Sequence, residues 1–222
     1  MNPGRGWFVV LEGPEGSGKS TLAAALADRL RQAGHDPVVV REPGGTPAAE
    51  ALRAVLLEPG RSWSAEAELL FMVTARADLV TRIIRPALAA GRVVLSDRFD
   101  LSTRAYQGAG RGVPDERLDW LNRVATGGLA PDLTLVLDLP PEVGLARQVA
   151  AGKSQDRLDQ ESAEFHRRIA EFYRSVAGRG ILHLDATQGA DALAAAAWAA
   201  VESLVMPGHS QVYRIMPDST GV

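Results

Sequence analysis

Apolar positions follow two rhythms along this chain. Short, mostly apolar runs read as strands, the first of them a buried one closed by a turn signal. They fall at 7–12, 38–41, 92–96, 133–139 and 181–184. Between them, apolar residues recur every three or four positions, the spacing of a helix face. Residues 19–33 carry Leu22, Leu26 and Leu30 on one face, and Gly34 ends that helix. A second helix over 48–57 stops at Glu58-Pro59-Gly60. Ser64 is placed to cap a long helix over 65–90, which Pro86 kinks. Helices over 115–125, 141–151, 159–177 and 190–204 complete the pattern. Strands alternating with helices predict an α/β fold, with a parallel sheet covered on both faces.

Composition narrows the picture. The 222 residues are 46% hydrophobic and 23% charged, ordinary for a globular chain, and the length suits one domain. Basic residues number 24 and acidic ones 27, a formal charge of −3. That excludes a strongly cationic nucleic-acid binder but not a small anionic substrate. There is no cysteine, so disulfides, thiolate metal sites and cysteine nucleophiles are excluded. His35, His166, His183 and His209 show no metal-ligand spacing. Trp63, Trp120 and Trp198 read as packing residues. No targeting segment is evident, and the longest apolar stretch, 192–201, is short of the ~20 residues of a membrane span. A cytoplasmic protein without a membrane partner is expected. Residues 206–222 read as a polar appendage.

Chemistry enters after the first strand. Gly13-Pro14-Glu15-Gly16-Ser17-Gly18-Lys19-Ser20 fits the phosphate-loop pattern, between a strand and a helix. Glycines let the backbone curl so that several N–H groups converge on phosphate. The helix N-terminus adds partial positive charge. Lys19 supplies a point charge for the outer phosphates, and the Ser20 hydroxyl suits Mg²⁺. A second cationic set follows other strands. Asp97-Arg98 closes the third strand, Arg41-Glu42-Pro43-Gly44-Gly45-Thr46 follows the second, and Arg53 lies in the next helix. Ligands of open α/β sheets collect at these strand ends. A hydrolase needs one phosphate site, whereas two suggest transfer between two phosphorylated molecules.

Several strings together resemble bacterial thymidylate kinase. They are Glu12 to Ser20, Arg41 to Thr46, Asp97-Arg98-Phe99, Ala105-Tyr106-Gln107-Gly108 and Arg157-Leu158-Asp159-Gln160-Glu161. Pro131-Asp132-Leu133-Thr134 and Pro141-Glu142-Val143-Gly144-Leu145 add to them, so the likeness runs from about residue 7 to 204. The resemblance implies a P-loop kinase fold with a five-stranded parallel sheet, one domain over 1–205 and a lid near 148–158. It implies transfer of the ATP terminal phosphoryl to dTMP, with Mg²⁺, by a homodimer.

By position, the resemblance assigns ATP to Gly13, Pro14, Glu15, Gly16, Ser17, Gly18, Lys19, Ser20, Thr21 and Thr187. Lys19, Asp97, Arg98 and Arg157 become catalytic, and Ser20 and Asp97 face the metal. Arg53 and Arg98 hold the dTMP phosphate. Glu15, Glu42 and Pro43 line the sugar, Tyr106 closes over it, and Arg76, Thr103 and Gln107 meet the thymine edge.

Two departures stand out. The family stacks an aromatic on thymine four residues before the base-reading arginine, but here that position is Met72, with Phe71 one residue early. Either Met72 packs on the base or a helix irregularity turns Phe71 inward. The lid of many relatives is rich in arginine, whereas between Gln148 and Asp156 the only cation here is Lys153, flanked by Arg147 and Arg157. Two other readings stand beside dTMP phosphorylation. One is a kinase for another nucleoside monophosphate or a deoxynucleoside. The other is a P-loop ATP-binding module that transfers nothing.

Overall fold

A computed structural model describes residues 5–152 and 154–206. Lys153 and residues 207–222, and with them His209, lie outside the described residues.

Five strands form one parallel sheet: β1 (Phe8–Glu12), β2 (Val38–Arg41), β3 (Val94–Asp97), β4 (Leu133–Asp138) and β5 (Ile181–Asp185), in the order β2-β3-β1-β4-β5. All five β1 residues are buried. Val9 and Leu11 face a core closed by α1 (Lys19–Gln32) and α9 (Ala190–Val205). Phe8 and Val10 face the opposite core, with Leu79, Ile84 and Phe99. Burial on both faces explains why the inner strands β1 and β3 read as apolar runs. On α9, Leu193, Ala197 and Val201 form the buried stripe, while Ala192, Ala195 and Ala196 are exposed.

The remaining helices are α2 (Pro47–Leu57), α3 (Ala65–Leu79), α4 (Arg85–Ala89), α5 (Asp100–Thr103), α6 (Asp115–Thr126), α7 (Pro141–Ala150) and α8 (Ala163–Ser175). Thr46 and Ser64 cap α2 and α3 by accepting from Ala49 and Ala67 N–H.

Three expectations need correction. The helix over 65–90 passes through a π-helical stretch, Val80–Ile84, between α3 and α4. Pro86 follows it, with no N–H to give and no room for the preceding turn's carbonyl. The helix expected from residue 159 begins instead at Ser162, whose Oγ accepts from Phe165 N–H. Before it, the Asp156 carboxylate takes the N–H groups of Leu158 and Asp159 and holds a turn. Trp120, expected to pack, is 63% exposed. The pattern also gave no element for residues 99–110, where α5 runs into a second π-helical stretch, Arg104–Gly110.

One contact sets the phosphate loop against α7. Gly16 and Gly144 meet backbone to backbone, and a Cβ at Gly144 would overlap the Glu15 carbonyl. Gly144→Ala should therefore cost about 1–3 kcal/mol. Gly189→Ala, where a Cβ meets open space, is the control. Thermal unfolding should show a clear drop in Tm for the first and little for the second. Equal shifts would contradict a packing role for Gly144.

Candidate active site

The carboxyl ends of β1, β2 and β3 open into a cleft of about 700 Å³. Glu15 to Thr21 line its floor, joined by Glu42, Arg53, Asp97 and Arg98. Residues far apart in the chain thus meet because parallel strands end on one edge. Arg41, Arg147, Gln148, Asp156 and Gln188 also line it, with an apolar wall of Leu22, Ala25, Leu193 and Ala194 along the α1–α9 seam. The motifs named no role for that wall. Its signal was the small-residue pattern of α1 and α9.

The loop wraps its own lysine. Lys19 Nζ donates to the carbonyls of Gly13 at 3.0 Å and Pro14 at 2.8 Å. Gly18 holds a φ of 92° just before α1, a conformation glycine permits. Ser20 Oγ donates to Asp97 Oδ2 at 2.5 Å. Among the described residues no group of three or more acids or histidines could hold a metal. A hydroxyl beside a carboxylate is nonetheless the sparse oxygen set that suits Mg²⁺, which keeps several waters and phosphate oxygens.

Arg98 is the centre of the second set. Among the described residues it alone, apart from glycines, has a positive φ, at 77°. Such outliers cluster at functional sites. The turn throws its guanidinium across the cleft. Nη2 donates to Glu15 Oε1 at 2.5 Å and to the Tyr106 hydroxyl at 3.0 Å, and Nη1 to the Gly13 carbonyl at 3.3 Å. The group lies 5.0 Å from the Tyr106 ring centroid. Behind it sits Glu12, fully buried, accepting from Phe99 N–H, Ser102 N–H, Ser102 Oγ and Tyr173. Glu12, Ser102 and Tyr173 were not assigned roles beforehand. A charged residue ending a buried strand was the available signal for Glu12.

The base-edge candidates gather around α3. Arg76 is buried, with Nε on Glu42 at 2.7 Å and Nη1 on Thr103 at 2.8 Å and on Asn122. Its Nη2 donates to the Phe99 carbonyl at 2.8 Å. Burial pushes the Glu42 carboxyl up to about 7, against the pull of Arg76. Met72 is buried one turn before Arg76, on the same face. Phe71 instead packs its ring 4.8 Å from that of Trp63. Glu42 Oε1, Gln107 Oε1 and Asn122 Nδ2 are buried without a hydrogen-bond partner. Unsatisfied buried polar atoms of this kind call for an explanation, and a ligand edge is one.

Other candidates lie elsewhere. Arg53 Nη1 reaches the Pro43 carbonyl at 2.9 Å, at the cleft margin. Thr187 turns onto Asp185, while Ala186 and Gln188 beside it line the cleft. Arg157 does not reach the cleft lining. It is buried, donating to Glu68 Oε2 at 2.6 Å and the Leu56 carbonyl at 2.9 Å.

Burial, with Arg98 alongside, pulls Lys19 down to about 8. Bound phosphate reverses that, because it favours the charged amine. Nucleoside triphosphate binding above pH 8 should therefore take up a proton and weaken as the pH rises. Calorimetry at pH 9 in two buffers of different ionisation enthalpy would reveal the uptake. It should vanish in Lys19→Met, and uptake that persists there would contradict the assignment.

The family model described as Thymidylate kinase matches residues 11–196. A thymidylate kinase of Thermomicrobium roseum is 49% identical over 206 residues, covering 91% of this chain and 98% of that protein. One from a Synechococcus strain is 50% identical over 198 residues, covering 88% and 94%. One from Pseudomonas putida is 51% identical over 192 residues, covering 85% and 91%. With a family match over most of its length and relatives about half identical across most of theirs, the chain belongs to the thymidylate kinase family.

Proposed function

We propose that this protein transfers the terminal phosphoryl group of ATP to dTMP, giving dTDP and ADP, in the cytoplasm. The observation that carries the reading is the pairing, in one cleft, of the Lys19 loop with a separate arginine set, Arg53 and Arg98. A module that only binds ATP has no use for the second set.

Phosphoryl transfer asks for charge neutralisation and in-line placement, with little covalent help. A dTMP phosphate oxygen bonds to the γ-phosphorus as the bond to the β–γ bridging oxygen breaks, and ADP leaves with that oxygen. Gly13, Pro14, Glu15, Gly16, Ser17, Gly18, Lys19, Ser20 and Thr21 form the donor cradle, and Thr187 belongs to the loop beside the adenine. Ser20 and Asp97 would hold Mg²⁺, Asp97 through water. The ion, when bound, neutralises charge on the donor phosphates. Arg98 stands between donor and acceptor. Its Nη2 already donates to one carboxylate oxygen of Glu15, and a phosphate can take both arms of a guanidinium fork.

At the acceptor end, Glu15, Glu42 and Pro43 line the sugar and Tyr106 closes over it. Met72 supports the base, a reading favoured by its place on the Arg76 face. Phe71 supports it only indirectly, from its seat on Trp63. Arg76, Thr103 and Gln107 meet the thymine edge. Residues 148–158 form the lid of a domain spanning 1–205. Arg147, which lines the cleft, is the lid-side cation. Arg157 anchors the lid root in this arrangement, and a catalytic contact requires its release from Glu68.

A homodimer is the assembly we propose. The packed helices α2, α3 and α6 leave Val55, Leu70, Trp120 and Val124 exposed. Trp120 and Val124 lie one turn apart on α6, so they share a face. Apolar exposure of this kind on neighbouring elements marks an interaction surface. Sedimentation should report a dimer for the parent and a monomer for Trp120→Glu, and a monomeric parent would remove the proposal.

The deciding experiment is ADP release from Mg·ATP with dTMP, dUMP, dCMP, AMP and dGMP offered singly, beside a no-acceptor control. Release should depend on dTMP. Preference for another monophosphate would reassign the acceptor. ATP binding without release in any arm would favour a non-transferring module.

A further inference from the structure

A glutamine amide offers donors on one side and an acceptor on the other. The side it turns to a ligand decides what that ligand must carry. In this chain Glu68 makes the choice for Gln107. Glu68 lies on α3, one turn before Met72 and two before Arg76, and is 1% exposed. Its Oε1 accepts from Gln107 Nε2 at 2.8 Å and from Arg111 Nε at 3.3 Å. Its Oε2 accepts from Arg157 Nη2 at 2.6 Å and Arg111 Nη2 at 3.1 Å. Burial opposes charge on such a group, yet the Arg111, Gln107 and Arg157 donors hold Glu68 below the ordinary carboxylate range. A carboxylate facing two guanidinium groups has no proton to give. Gln107 must therefore turn its NH₂ toward Glu68. Its Oε1 is left on the other side, buried and without a partner.

We propose that Glu68 is a specificity-determining positioning residue: it locks the Gln107 amide so that an acceptor faces the base. The proposal rests on the reading, given above, that Gln107 meets the base edge. An acceptor there selects a base with an N3–H, as thymine has. Cytosine carries a bare N3 lone pair at that position. It would set two acceptors against each other and leave both unpaired in a buried site, the kind of mismatch that discriminates strongly. This selection acts on hydrogen-bond polarity and is independent of the 5-methyl group.

The test uses 5-methyl-dCMP, which has nearly the shape of dTMP with the opposite polarity at N3. In Glu68→Gln the new amide can donate or accept, so Gln107 is released to turn either way. The ratio of kcat/KM for dTMP to that for 5-methyl-dCMP should fall about tenfold or more. Inhibition constants give the same ratio where turnover is too slow. The readout is the ratio, because freeing Arg157 from Glu68 or loosening the fold changes turnover of both nucleotides alike and cancels in it. An unchanged ratio in folded Glu68→Gln overturns the proposal. The double exchange Glu68→Gln with Gln107→Glu keeps one carboxylate and one amide in the pair and covers a failure of the single variant to fold. A carboxylate at 107 accepts whichever way it turns, so the exchange should retain the preference for dTMP, and its loss overturns the proposal. Gln107→Met separates the two readings. If the preference survives that change, Gln107 does not meet the base and both fall. If it drops there but not in Glu68→Gln, the role of Glu68 alone falls.

Discussion

The Glu12 carboxylate, shut away from water at the end of β1, holds the active-site segments together. It takes the Phe99 N–H at 2.8 Å, the Ser102 N–H at 3.1 Å and its hydroxyl at 2.7 Å, and the Tyr173 hydroxyl at 2.9 Å. Burial pushes its pKa up, while the Ser102 bond and the charge of Arg98 pull it back. A buried polar group that loses a hydrogen-bond partner costs about 1–3 kcal/mol, and more when it is charged. The start of the phosphate loop, the turn carrying Arg98 and the helix behind the lid are therefore obliged to assemble as one unit.

Under the proposed roles, Glu68 does for the base end what Glu12 does for the phosphate end. Each is a buried acid whose oxygens are divided among segments that a parallel sheet brings close but does not itself join. Glu12 links β1, α5 and α8. Glu68 links α3, the π-helical stretch carrying Gln107 and the lid root at Arg157. Positioning of this kind is what phosphoryl transfer demands, since the chemistry is carried by aligned charge more than by covalent intermediates. Filled hydrogen-bond sets also stiffen their surroundings, because every alternative packing strands a polar group.

The inner strands were legible because burial on both faces leaves apolar runs, and the phosphate loop because its glycines, lysine and serine sit at fixed offsets. The Arg98 cluster was legible from its place at a strand end. The segment 99–110 was not. Its polar and glycine-rich composition carries no helix periodicity, and the backbone there is held by Glu12 from a distant strand. Arg157 was legible as a motif but not as a geometry. Nothing local tells a lid arginine from one bound to a carboxylate 89 residues away. The seat of Phe71 was likewise not legible, because it depends on Trp63, whose ring lies 4.8 Å away.

The backbone of Arg98 carries one further implication. Its left-handed conformation costs roughly 1–2 kcal/mol for any residue with a Cβ. Glycine at that position would relax the turn but discard the guanidinium that spans the cleft. The bonds that the guanidinium makes to Glu15, Tyr106 and Gly13 offset that backbone cost, so the strain and the bridge across the cleft come as one arrangement.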